Sequence, residues 1–321
     1  MRPRVWWKRA AAVWLPALLL LGLSGCYSRI SDGNRGLPFA PAEVELQTPN
    51  TMVRVLVLGD FGQGSGGQRD VARAIANVHA AEPFDFGVTV GDNFYERGVS
   101  SVADAKWHSR WEEPYGNLGF PIYPTLGNHD YYGDVQAQLD YESPSNTWRF
   151  PARQYVLRSE LVDLVAIDTM DPRAQQYGWL NKILAESKAH WKIVYGHHPI
   201  FSAGYHGDNE LLETALLPLL RGRAAIYLAG HDHDLQHFKP IEGTHFVISG
   251  GGGARLRQLR PDPRTLFAQT MYGFTRLEID EARIHLEMFD RNGKRVYDAN
   301  IREQPDRDRE KQTAGAEAPT P

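Results

Sequence analysis

The chain has 321 residues, 42% hydrophobic, 11% aromatic and 23% charged, the composition of an ordinary globular protein with ample core-forming material. Its formal net charge of −4 argues against a nucleic-acid-binding surface, which would be basic. Its single cysteine, Cys26, excludes any disulfide within the chain.

Arg2, Arg4, Lys8 and Arg9 precede an uncharged run from Ala10 to Gly25 that holds Leu18-Leu19-Leu20-Leu21. A basic stretch followed by a short apolar one is the pattern of a secretory signal, and this one is too short for a spanning helix. It ends in Leu23-Ser24-Gly25-Cys26, which resembles the lipobox of bacterial lipoproteins. The resemblance implies that residues 1–25 are removed and that Cys26 carries the lipid anchor. The expected location is then the exported side of a membrane, periplasmic, outer-membrane or at the cell surface. Without those four cations the formal charge is −8. Residues 26–51 hold Ser, Asn, Gly and Pro with little periodicity and read as a tether.

From residue 52 to residue 301, apolar strands alternate with helical patterns, the signature of a layered α/β domain. Val53 to Leu58 predicts a strand, and Gly66 to Ala81 a helix with Val71, Ile75 and Val78 on one face. Phe84 to Val90 and Pro121 to Leu126 predict further strands around an irregular stretch with Trp107, Trp111 and Pro114. Arg153 to Leu157 and Leu161 to Ile167 fit adjacent strands, followed by a helix from Tyr177 to Lys188. Lys192 to Tyr195, Ala225 to Leu228 and His245 to Ser249 predict strands, with a Leu-rich helix over about Glu210 to Leu220. Gly273 to Tyr297 alternates as antiparallel strands do, with an Asn292-Gly293 hairpin signal. Residues 302–321 read as a disordered tail.

Five apolar strands each end in a glycine and a polar cluster: Gly59-Asp60, Gly91-Asp92-Asn93-Phe94-Tyr95, Gly127-Asn128-His129-Asp130, Gly196-His197-His198-Pro199 and Gly230-His231-Asp232-His233-Asp234. The glycine suggests a sharp turn at each tip. In an open α/β sheet the carboxyl ends of the strands meet at one crevice, so these clusters should converge. Convergent Asp, Asn, His and Tyr without Cys suit hard or borderline metal ions, and a lone Tyr suits Fe(III).

This order of motifs resembles the metallophosphoesterase superfamily, and Asp92 with Tyr95 narrows the resemblance to the purple acid phosphatases. Gly133-Asp134-Val135-Gln136-Ala137-Gln138, Trp148-Arg149-Phe150-Pro151 and His231-Asp232-His233 continuing into Leu235-Gln236 are similar to the small, single-domain tartrate-resistant type. The resemblance implies an α/β fold, a four-layer α/β/β/α sandwich with two mixed sheets. It implies Fe(III) held by Asp60, Tyr95 and His233, and a divalent ion (Fe, Zn or Mn) held by Asn128, His197 and His231, with Asp92 bridging. His129 and His206 would contact substrate, one of them protonating the leaving group. The implied reaction is hydrolysis of small phosphomonoesters at acidic pH, with a metal-bound hydroxide as nucleophile.

A phosphodiesterase or nucleotide pyrophosphatase on the same scaffold is the rival within enzymes. A non-catalytic, metal-containing surface lipoprotein is the rival outside them. His198, His237 and His245 read as supporting or surface residues. Asp130 and Asp234 either orient ligand imidazoles or form turns, and Trp107 and Trp111 are core or site rim. Arg255 and Arg257 read as a solvated basic loop.

Overall fold

A computed structural model describes residues 30–34, 36–49 and 51–302. The leader, Cys26 and nearly all of the C-terminal tail lie outside the described residues.

Two mixed sheets carry the domain. The first runs β2 (Val53–Leu58), β3 (Phe86–Thr89) and β4 (Ile122–Pro124) in parallel, and β12 (Gly273–Ile279), β13 (Ile284–Asp290) and β14 (Arg295–Ile301) extend it antiparallel from β2. The second has the order β1 (Ala42–Glu45), β5 (Tyr155–Arg158), β6 (Val162–Ala166), β7 (Trp191–Tyr195), β8 (Ile226–Ala229), β10 (His245–Ser249), β9 (Leu235–Phe238), β11 (Thr265–Gln269). Its central strands β6, β7, β8 and β10 are parallel.

Side chains that alternate along a strand reach opposite faces of its sheet. On β6 and β7, Leu164, Ala166, Ile193 and Tyr195 enter the core shared with the first sheet, whereas Val165 and Val194 enter a second core. That second core receives Leu180, Ile183 and Leu184 from the helix Ala174–Glu186, and Leu212, Leu217 and Leu220 beyond it. The helix Gly66–Ala81 buries Val71, Ala74 and Ile75 in the first core. Its N-cap Ser65 accepts a 3.1 Å bond from the Gln68 amide. Burial on both faces is why the central strands read as continuous apolar runs.

Four expectations change. The helix expected over Glu210 to Leu220 is two pieces, Glu210–Ala215 and Leu217–Leu220, because Pro218 has no amide hydrogen to continue the first. The irregular stretch holds a helical segment from Ala105 to Tyr115, and Trp107 and Trp111 are core residues at 2% and 0% exposure. Trp107 stacks on Tyr141 at 3.5 Å. Strands β9 and β11 were not expected. Finally, the segment read as a tether includes β1, paired with β5, and Asn34, which is buried with its amide donating to the Tyr131 and Gly133 carbonyls at 2.9 and 2.8 Å. The folded region therefore begins before residue 52.

Candidate dinuclear metal site

The tips of β2, β3 and the strand β4 from the first sheet, and of β7 and β8 from the second, meet at one end of the sandwich. Their glycines serve mainly as gaps. A Cβ on Gly127 would lie 2.2 Å from Asp92 Oδ1, and one on Gly230 would lie 2.4 Å from Asp60 Oδ2. At three tips the residue after the glycine is left-handed, and at one of these the glycine shares the turn, Gly91 having a φ of 86°. Asp60, Asp92 and His231 have φ of 57°, 52° and 70°, three of the four positive values at non-glycine residues among those described. Left-handed backbone costs a side-chain-bearing residue about 1–3 kcal/mol, and it gathers at functional sites. Here each departure aims a donor atom at the shared end.

Seven predicted residues come together there in two groups. In one, Tyr95 Oη lies 2.9 Å from Asp60 Oδ1, 2.8 Å from Asp92 Oδ2 and 3.1 Å from His233 Nε2. In the other, His197 Nε2 lies 3.1 Å from both Asn128 Oδ1 and His231 Nδ1. Asp92 belongs to both, since its Oδ2 is also 3.5 Å from His197 Nε2.

Both groups are short of protons. The His233 Nδ1–H donates to the Arg255 carbonyl at 2.7 Å, and the His197 Nδ1–H to the Val90 carbonyl at 2.9 Å. A carbonyl only accepts, so each Nε2 is left as a bare acceptor. Tyr95 Oη then faces three potential acceptors, and His197 Nε2 faces the Asn128 oxygen, another acceptor, with His231 Nδ1 the one neighbour in its group placed to donate to it. Metal-binding histidines commonly show this arrangement, with the second nitrogen fixed by a carbonyl. The donor set of carboxylates, phenolate, amide oxygen and imidazoles, with no thiol, fits two hard or borderline cations.

The electrostatics agree. Asp60 is fully buried, and burial together with the Asp92 carboxylate pushes its carboxyl well above the ordinary range. Asp92 is held below that range by His197 and His129 against the opposing effect of burial. Burial holds His231 and His197 below the usual histidine value, and His233 at about 4. Among the described residues, no Lys or Arg ion-pairs with Asp60 or Asp92.

The remaining predicted residues flank this centre. His129 donates its backbone amide to Asp92 Oδ1 at 2.9 Å, and its ring lies 4.4 Å from that of Tyr95. His206 stacks on His231 with ring centres 3.9 Å apart, and its Nε2 meets the Arg257 guanidinium. Asp130 orients backbone rather than imidazoles: it accepts from the amides of Asn93, Phe94 and Gly127 at 3.1, 3.1 and 2.8 Å, locking the β3 tip to the β4 tip. Asp234 accepts from Gln236 at 2.8 Å.

Sequence reasoning missed Asp232 and left His198 between a supporting and a surface role. His198 is buried, within metal-binding reach of His197 and His231, and its Nδ1 is 2.8 Å from Thr169 Oγ1. Asp232 holds the His206 loop, accepting from the His206 amide at 3.1 Å and from Ser202 Oγ at 2.5 Å. The only signal for either was its place inside a His-rich motif.

Known proteins resemble this chain in sequence and in fold. Residues 53–235 match the calcineurin-like phosphoesterase family model. The chain is 34% identical to purple acid phosphatase 3 of Arabidopsis thaliana over 274 residues, 74% of each chain. It is 28% identical to tartrate-resistant acid phosphatase type 5 of Sus scrofa over 298 residues, 79% of this chain and 88% of the relative. Among solved structures it is similar to GAP50, the anchor in the inner membrane complex of Plasmodium, with a TM-score of 0.73 and 22% identity over 84% of this chain and 96% of that one.

Proposed function

The chain belongs to the calcineurin-like phosphoesterase family, and on that premise we propose that it is an acid phosphatase acting on small phosphomonoesters. The observation that carries this reading is Asp92, whose carboxylate stands between two proton-poor donor groups. In this reading Asp60, Tyr95 and His233 would hold Fe(III), Asn128, His197 and His231 would hold a divalent ion, and Asp92 would serve both. Such a pair would supply Lewis acidity toward a phosphoryl oxygen and toward an attacking water.

The chain's own residues set the stage for that chemistry. The carbonyls of Val90 and Arg255 fix the tautomers of His197 and His233. The His129 amide fixes the Asp92 carboxylate, and Asp130 holds the two tips that carry them in register. His206 and His129 stand at the edge of the centre, where an imidazolium can give its proton to the leaving alkoxide. The test is a visible spectrum of the iron-loaded protein together with a phosphatase assay. We expect a tyrosinate-to-Fe(III) band that Tyr95→Phe removes. A band that survives the substitution would place the chromophore elsewhere.

The leader and Leu23-Ser24-Gly25-Cys26 support export as a lipoprotein anchored through Cys26. Cys26→Ser should then move the chain from the membrane fraction to the soluble one. Retention in the membrane would remove the anchor.

A further inference from the structure

The described chain enters and leaves the sandwich at opposite ends. Strand β6 runs toward the donor-bearing end, where Thr169 meets His198. Strand β5 is antiparallel to β6, and β1 is parallel to β5, so β1 starts at that same end. Residues 30–41 therefore lie along the donor-bearing edge. Their hydrogen bonds say the same. The Ser31 amide donates to the Tyr131 carbonyl at 3.1 Å, the Val135 amide donates to Asn34 Oδ1 at 3.1 Å, and the Asn34 amide group reaches Tyr131 and Gly133. These partners follow His129 directly in the chain. Strand β14 instead finishes with Ile301 opposite Ile284, at the far end.

Three residues separate Ile30 from Cys26, and four Cα steps span at most about 14 Å. We infer that the donor-bearing edge faces the membrane and that its rim rests on an anionic lipid surface. The inference builds on the reading of Cys26 as lipid-bearing, and it adds an orientation that this reading lacks.

The rim has the chemistry for such a surface. Three large hydrophobic residues are exposed among those described, and two sit on loops at this edge: Tyr205 at 62% and Val102 at 45%. Tyr205 precedes His206. The Val102 loop is held beside the entering segment, because the Asp134 amide donates to the Val99 carbonyl at 2.7 Å. A tyrosine pairs an apolar ring with a polar tip, which suits the headgroup layer.

The charge is complementary as well. Arg255, Arg257 and Arg260 occupy the segment that lines this loop, and the Arg260 amide donates to the Ala203 carbonyl at 2.7 Å. Among the described residues none of the three meets a carboxylate at ion-pair distance, whereas Arg264, just beyond, is held by Asp208 and Asp262. The Arg257 guanidinium stands 5.2 Å from the centre of the Tyr205 ring. Arginines with no carboxylate at ion-pair distance form a local positive field on a chain that, without its leader, has a net charge of −8, and such a field draws a protein surface to anionic lipid.

The experiment uses the full lipid-bearing chain in vesicles of phosphatidylcholine and phosphatidylglycerol, with an energy acceptor in the headgroup layer. One fluorophore is placed at Val102→Cys. Another is placed at Glu281→Cys, in the turn between β12 and β13 at the opposite end of a domain roughly 45 Å across. Transfer should be several-fold stronger from position 102, and Arg255→Gln with Arg260→Gln should reduce that difference. Equal transfer, or stronger transfer from position 281, would overturn the orientation while leaving the anchor intact. A chain that does not enter the vesicle fraction would remove the anchor and the orientation together.

Discussion

Arg153 and Tyr95 stand at the centres of two buried polar clusters joined by one short turn, the residues 129–131. Around Arg153, donors and acceptors match. Its guanidinium reaches Tyr131 Oη at 3.1 Å, Asp168 and Asp171 at 3.0 Å each, and the carbonyls of Leu37 and Pro38 at 3.2 and 2.9 Å. Around Tyr95, acceptors face acceptors. Two carboxyl groups and a bare imidazole nitrogen crowd one phenol hydroxyl, and no arginine or lysine pairs with them. Both clusters are buried, yet only the first is closed by the chain itself. A closed cluster stabilises the fold and carries no chemistry. An open one leaves its charge for an ion, which is what separates a site from a structural knot.

The contrast breaks most visibly at Asp92. Asp92→Ala should abolish both metal occupancy and turnover while the protein stays folded, since it removes a buried negative charge that no lysine or arginine among the described residues pairs with. Metal analysis and a phosphatase assay check it, and full activity in the variant would end the bridging role. His206→Ala should lower turnover by about 10²–10⁴-fold, the usual contribution of a positioned acid or base, with metal content unchanged. Loss of metal instead would make His206 a ligand support. Arg153→Met should act in the opposite sense, lowering stability by about 3–5 kcal/mol by stranding Asp168 and Asp171. Metal per folded molecule should hold. If metal binding falls in step with stability, the two clusters are one unit.

Much of the open cluster was legible, and little of the closed one. Asp60, Asp92, Asn128, His197 and His231 announced themselves because each follows an apolar strand and a glycine, so strand periodicity alone puts them at strand ends. The glycines do more than allow a turn: Gly127 and Gly230 make room for a neighbouring carboxylate, and at three tips the residue that follows, Asp60, Asp92 or His231, is itself left-handed. Asp168 also ends a strand, yet Arg153, Tyr131 and Asp171 share no motif with it, and only the packed chain brings them together. The segment 30–49 was illegible for a related reason. Asn34 and the Leu37 and Pro38 carbonyls are held by side chain to backbone bonds that leave no period, and the alternation of Ala42 and Val44 along β1, continued by Leu46, is short and only half-buried. Strand β11 is half-exposed at the sheet's edge, where the pattern is weakest.

The smallest expected effect bears on whether the closed cluster is fully ionised. Burial raises the Asp168 carboxyl to about 6, against the pull of Arg153 and Tyr131. A carboxyl whose folded-state pKa lies above its ordinary 3.8 contributes stability that is fully present below that value. That contribution is lost as pH rises through about 6, at up to about 1.4 kcal/mol per pH unit within the window. Asp168→Asn has no such proton to release. Urea midpoints measured from pH 4 to pH 7 should therefore show the wild type losing ground to the variant as pH rises. A constant difference across that range would mean that Arg153 keeps Asp168 ionised throughout. Burial would then have been overcome by a single well-placed guanidinium, the element that the Tyr95 cluster lacks.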